Sequence, residues 1–95
     1  MFVKLLKINK KNNSDDYYLS EVTVNTSQIV FMAENSDMQR LFKEGKANLD
    51  LHPEVCFTDL KLNSSSRETQ QMTVVGAPNI IESKILKKER ILLRD

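Results

Sequence analysis

The chain has 95 residues, which is enough for one domain, and we treat residues 1–95 as that domain. Its 14 lysines and arginines nearly balance 13 aspartates and glutamates, which argues against a protein devoted to binding nucleic acid through a polybasic surface. Cys56 is the only cysteine, which excludes an internal disulfide and a zinc site built on cysteines.

The N-terminal third of the chain has the pattern of β-strands. Residues 2–8 and 17–24 have β character, and the polar segment 9–16 between them is typical of a loop. A turn at 25–27 precedes the apolar run 28–33, which predicts a strand buried on both faces or paired in the centre of a sheet.

The N-terminal apolar stretch is short, since Lys4 and Lys7 interrupt it, and it therefore does not predict a signal peptide. No run approaches the length of a membrane span. The single thiol fits a reducing compartment. We expect a cytoplasmic protein without membrane contact.

A short helix is predicted over 37–44. Ser36 and Gln39 have the spacing of a capping box, and Gly45 stands where a left-handed helix stop is expected. Three apolar residues share one face of this helix: Met38, Leu41 and Phe42. A helix of about two turns is marginal alone, so it must pack against the rest of the domain.

The second half of the chain contains the clearest hairpin. Residues 55–62 alternate, 63–67 form a polar turn, and 69–75 supply the second arm, which Gly76 and Pro78 end. The tail beyond this hairpin predicts a helix from about Asn79, with Asn79 as its N-cap, although residues 90–94 also fit a strand.

Together these elements predict an α+β, mostly β fold. We expect an antiparallel sheet of about five strands, one short helix at 37–44 and a C-terminal helical segment.

The residue types that are catalytic in other proteins do not form a recognisable catalytic motif in this sequence. His52 and Cys56 are separated by Pro53 and lead into a strand, so we interpret them as a loop histidine and a small packed hydrophobe. The carboxylates do not converge by their spacing, and two glycines are too few for a phosphate loop. We expect no enzyme activity, no metal and no cofactor.

Basic residues concentrate near both ends of the chain, where they form a candidate nucleic-acid surface if the ends lie together. The residues are Lys4, Lys7, Lys10, Lys11, Lys84, Lys87, Lys88, Arg90 and Arg94. Tyr17 and Tyr18 could stack on bases. The alternative is an ordinary solvated face, with lysines that block unwanted strand pairing.

A weaker candidate is an anion site at Gly76 and Asn79, where a turn leads into the predicted helix. Such a site would belong to a small-molecule or nucleotide-binding module. The alternative is a plain strand-to-helix turn.

The C-terminal segment has more apolar residues than one helix face needs, and they are candidates for a protein interface: Ile85, Leu86, Ile91, Leu92 and Leu93. A domain of this size has a thin core, which a subunit interface often completes. Our leading hypothesis is therefore a non-enzymatic interaction or structural module that forms a homo-oligomer or binds another protein.

One ordered pattern along the chain comprises residues 24–30 (VNTSQIV), the strand 55–62, residues 72–78 (MTVVGAP) and Ile81. This pattern resembles the small FlbD-like domains of flagellar and phage gene clusters. The chain departs from this pattern in an insertion around 35–53. The resemblance implies a small β-sheet module that acts by association without catalysis, and a phage or mobile-element origin fits the size and composition.

Overall fold

The strands predicted from the sequence join a single antiparallel sheet in the computed structural model, which confirms the α+β, mostly β prediction. The structure describes residues 1–12, 16–63 and 69–94, and residues 88–94 by their backbone alone. The strands are β1 (Phe2–Lys10), β2 (Tyr17–Asn25), β3 (Ile29–Glu34), β4 (Phe57–Asn63) and β5 (Thr69–Val75), and a 3₁₀ turn at Thr26–Gln28 joins β2 to β3. The helices are α1 (Ser36–Lys43) and α2 (Pro78–Arg94).

The strand order in the sheet is β2-β1-β5-β4-β3. The hairpins β1–β2 and β4–β5 meet where β1 pairs with β5, and β3 pairs with β4 from the outside. The prediction that the run 28–33 is doubly buried or central is therefore wrong. This run is an edge strand, because β3 is last in the strand order and β4 is its one partner among the described strands.

One face of the sheet is covered by α2. The core there consists of Val3, Leu5, Val24, Leu60, Leu62, Val74 and, from the helix, Ile81. The helical prediction for the tail is correct, since the backbone is helical as far as Arg94. The helix begins at Pro78, where a missing N–H costs nothing, so Asn79 lies inside the first turn instead of capping it.

The opposite face is partly covered by α1 and the segment that follows it. Ile8 of β1 and Phe57 of β4 pack there against Met38 and Ala47. The rings of Phe42 and Phe57 meet edge to face, with centroids 5.8 Å apart. The short helix therefore packs, as its length requires.

Several boundaries differ from the predictions: α1 begins at Ser36 instead of 37, β3 at Ile29 instead of 28, and β4 at Phe57 instead of 55. Asn35 caps α1 in place of Ser36, because its Oδ1 accepts the Met38 N–H at 2.9 Å. β1 continues to Lys10, which pairs with Tyr17, so the loop predicted over 9–16 is shorter. Most of the turn predicted over 63–67 lies outside the described residues.

Candidate functional site

Two adjacent apolar side chains on the edge strand β3, Val30 and Phe31, are largely exposed. The β3–β4 register shifts between Ile29 and Phe31, which is a β-bulge. A bulge breaks the alternation of side chains, and Val30 and Phe31 consequently line the same groove. Val30 is 62% exposed and Phe31 is 55% exposed.

This groove crosses β3, β4 and β5 and has a volume of about 600 Å³. Val30 and Phe31 are the exposed apolar side chains of its lining, whereas the side chain of Leu60 is buried under α2. The polar part of the groove is formed by Asp59, Lys61, Asn63, Thr69 and Gln71. Lys61 is the register partner of Phe31. The groove is thus an open apolar surface with a polar border, which is the usual composition of a protein-contact surface.

A hydrogen-bonded cluster fixes the end of this groove next to α1. Asp59 Oδ1 accepts the Asn35 amide at 2.9 Å and the Thr73 hydroxyl at 2.7 Å. Asn35 also caps α1, so one residue joins the helix to strands β4 and β5. These contacts give the Asp59 carboxylate a structural role.

The backbone of β3 has an open edge. The Asn35 N–H donates to the Phe57 carbonyl at 2.9 Å, so Asn35 faces β4. Backbone groups of a strand alternate in direction, and those of Met32 and Glu34 therefore point away from β4. No described strand pairs with β3 on that side.

The predicted helical interface is only partly exposed. Leu86 is 48% exposed. Ile85 is half-buried and packs against the core under α2. The side chains of Ile91, Leu92 and Leu93 lie outside the described residues.

The basic residues do not form one face in the part of the chain that the structure describes. The Lys84 ammonium donates to the Lys4 carbonyl at 3.0 Å, and Lys4 lies 3.8 Å from the Glu21 carboxylate. Strand alternation places Lys4 and Lys10 on one face of the sheet and Lys7 on the other. Lys11 and Lys87 are exposed, while the side chains of Lys88, Arg90 and Arg94 lie outside the described residues.

The Gly76 N–H of the predicted anion site already donates a hydrogen bond within the protein. The Gly76 N–H donates to the Cys56 carbonyl at 2.8 Å, and the Gly76 carbonyl accepts the Thr58 hydroxyl at 2.7 Å. Gly76 has φ of 118°, a conformation that favours glycine, which explains its place in this turn. Asn79 is exposed.

His52 and Cys56 both contact the backbone of Glu54, which lies between them in the sequence. His52 Nδ1 accepts the Glu54 N–H at 3.1 Å, and the Cys56 thiol donates to the Glu54 carbonyl at 4.0 Å. Within residues 1–12, 16–63 and 69–94, no three histidine, cysteine or acidic residues converge as metal ligands.

No helix in this part of the chain has the length and hydrophobicity needed to cross a membrane.

Sequence reasoning missed the groove. Its apolar residues, Val30 and Phe31, stand in a run whose composition indicates burial, and the bulge that exposes them has no glycine to mark it. The adjacent apolar pair in a short strand was the one available signal.

Comparison with known proteins adds no relative: no family model, curated protein or solved structure matches this chain. The FlbD-like resemblance stays a prediction.

Proposed function

We propose that this protein is a non-enzymatic interaction module that associates with itself through the surface of β3. The observation that carries the proposal is the exposure of Val30 and Phe31 on one groove beside an open strand edge. Exposed apolar residues that cluster at a polar-rimmed groove are typical of contact surfaces. An open edge adds backbone groups that a partner strand can pair with.

The composition of β3 supports this use. Many edge strands carry lysine or proline, which prevents accidental pairing, and β3 has neither. The other edge strand, β2, exposes Glu21 and Thr23 on its corresponding face. Of the two edges, β3 is therefore the more suitable for association.

A pair of matched glutamate substitutions tests the proposal. Val30→Glu places a negative charge in the β3 groove, whereas Ile80→Glu places one on α2, and both parent side chains are 62% exposed. We expect a concentration-dependent oligomer for the native chain and Ile80→Glu, and a weakening of at least tenfold in the dissociation constant for Val30→Glu. Sedimentation velocity over a wide concentration range measures this.

Two results would contradict the proposal. One is a native chain that remains monomeric at the highest soluble concentration. The other is an oligomer that Val30→Glu leaves intact and Ile80→Glu dissociates, which would place the contact on α2.

A nucleic-acid-binding function is the second candidate, and a groove beside β1 that both Lys4 and Lys84 line favours it. Glu21 beside Lys4 weakens the positive potential at this point. Phosphate neutralisation makes affinity fall steeply with salt. A titration with a fluorescent oligonucleotide at two salt concentrations decides the matter, because a binder must show this slope and must weaken in Lys84→Gln.

A further inference from the structure

We infer that the occupant of the open β3 edge is β3 of a second copy, paired antiparallel about a twofold axis at Met32. This inference rests on the proposed self-association and specifies its geometry. The resulting dimer would have a continuous sheet of ten strands, five from each copy.

The direction of the backbone groups permits this pairing. Met32 and Glu34 present their N–H and C=O groups at the open edge. With the axis at Met32, each Met32 exchanges two hydrogen bonds with Met32 of the second copy. Each Glu34 lies opposite Val30 of the second copy, so the two carboxylates lie at opposite ends of the contact and do not repel each other.

The side chains are also complementary in this register. Phe31 lies opposite Ala33 of the second copy, on the groove face, and the symmetry repeats this large–small pair. The paired segment ends at Glu34, before Asn35, whose side chain is committed to Asp59 and to the cap of α1. A register shifted towards α1 would draw Asn35 into the contact.

The small buried area of this contact limits the stability of the proposed dimer. Phenylalanine can bury about 150–250 Å², and each copy contributes one such ring and one valine beside a short strand. Stable interfaces bury roughly 1,200 Å² or more in total. A short strand contact lies near or below this limit, which predicts a reversible dimer that dissociates on dilution.

Hydrogen exchange on the native chain tests the pairing without any substitution. We expect the Met32 and Glu34 amides to exchange at least tenfold more slowly at high than at low protein concentration. The control amides are those of Glu21 and Thr23 at the β2 edge. The Thr26 N–H faces β1, where it donates to the Met1 carbonyl at 2.9 Å. Because the backbone groups of a strand alternate in direction, the amides of Thr23 and Glu21 point away from β1, towards solvent. Protection of the control amides alone would overturn the inference.

Cross-linking tests the axis. In a Cys56→Ser background, Met32→Cys places two thiols on opposing residues about 5.5 Å apart between Cα atoms, which is inside the range of about 4.4–6.8 Å for a disulfide. We expect Met32→Cys to give a covalent dimer at least tenfold faster than Thr23→Cys on β2 or Leu86→Cys on α2.

The outcomes separate the two proposals. A dimer in sedimentation that cross-links fastest through Thr23→Cys or Leu86→Cys overturns the β3 pairing and leaves self-association standing. A native chain that is monomeric throughout, and shows no concentration-dependent exchange, overturns both.

Discussion

Asn35 connects the local structure of the chain to the candidate site. Its Oδ1 accepts the Met38 N–H, and its amide donates to Asp59 at the wall of the groove. A residue with these two bonds fixes where α1 leaves the sheet. The end of β3, and therefore the length of strand that is free to pair, depends on it.

Asn35→Ala should lower the free energy of unfolding by about 1–2 kcal/mol, because the helix loses its N-cap and the Asp59 carboxylate loses a donor. Ser36→Ala is the matched control, since Ser36 has the capping-box spacing without capping the helix. We expect it to change stability by less than about 0.5 kcal/mol. Urea unfolding of both variants measures the difference, and equal losses would contradict the assignment of the cap.

At the scale of the elements, α2 packs one of its faces in the core and exposes another to solvent. Ile81 is 2% exposed and packs under the sheet, whereas its neighbour Ile80 is 62% exposed. The Lys84 ammonium extends from the same helix to the Lys4 carbonyl. This carbonyl faces the β5 side of β1, but β5 pairs with β1 at Lys7 and ends at Val75, before it reaches Lys4. The helix thus fills the core and also supplies a partner for an unpaired carbonyl of the sheet.

Ile81→Ala should destabilise the protein by about 2–4 kcal/mol, because it removes buried methylenes and leaves a cavity. Ile80→Ala changes the same residue type one position away and should cost less than about 0.5 kcal/mol, since its side chain is in water. Thermal and urea unfolding distinguish the two. Similar losses for both variants would show that the helix packs in a different rotation.

The elements themselves were predictable where the signal is local. The β4–β5 hairpin was predicted from alternation over 55–62 and 69–75, and the structure confirms it. The strand order was not predictable, because the β1–β5 pairing joins Lys7 to Val74, far apart in the sequence. The groove depends on this order: the apolar composition of 28–33 is the same for a central strand and for an edge strand.

At the scale of the whole molecule, the protein is flatter than an average domain of its size. Its shortest dimension is 19 Å and its radius of gyration is 14.3 Å. A compact domain of this length has a radius of gyration of roughly 12 Å. A flat sheet with two edges keeps more surface in water, and this geometry favours burial of surface by association.

The proposed self-association should therefore appear in the stability of the molecule. Binding that is restricted to the folded state raises the melting temperature with concentration. Above the dissociation constant, a tenfold rise in concentration adds about 1.4 kcal/mol per dimer, or about 0.7 kcal/mol per chain. For a domain of this size that is a rise of roughly 3–5 °C.

We expect this rise for the native chain and for Ile80→Glu in scanning calorimetry at two concentrations, and its absence for Val30→Glu at concentrations below the weakened dissociation constant of that variant. The proposed contact buries apolar side chains and backbone groups with no ion pair, so added salt should leave the rise in place. A melting temperature that does not depend on concentration, measured above the dissociation constant from sedimentation, would contradict the proposed coupling between folding and association. A rise that salt abolishes would indicate a contact through the lysines instead of β3.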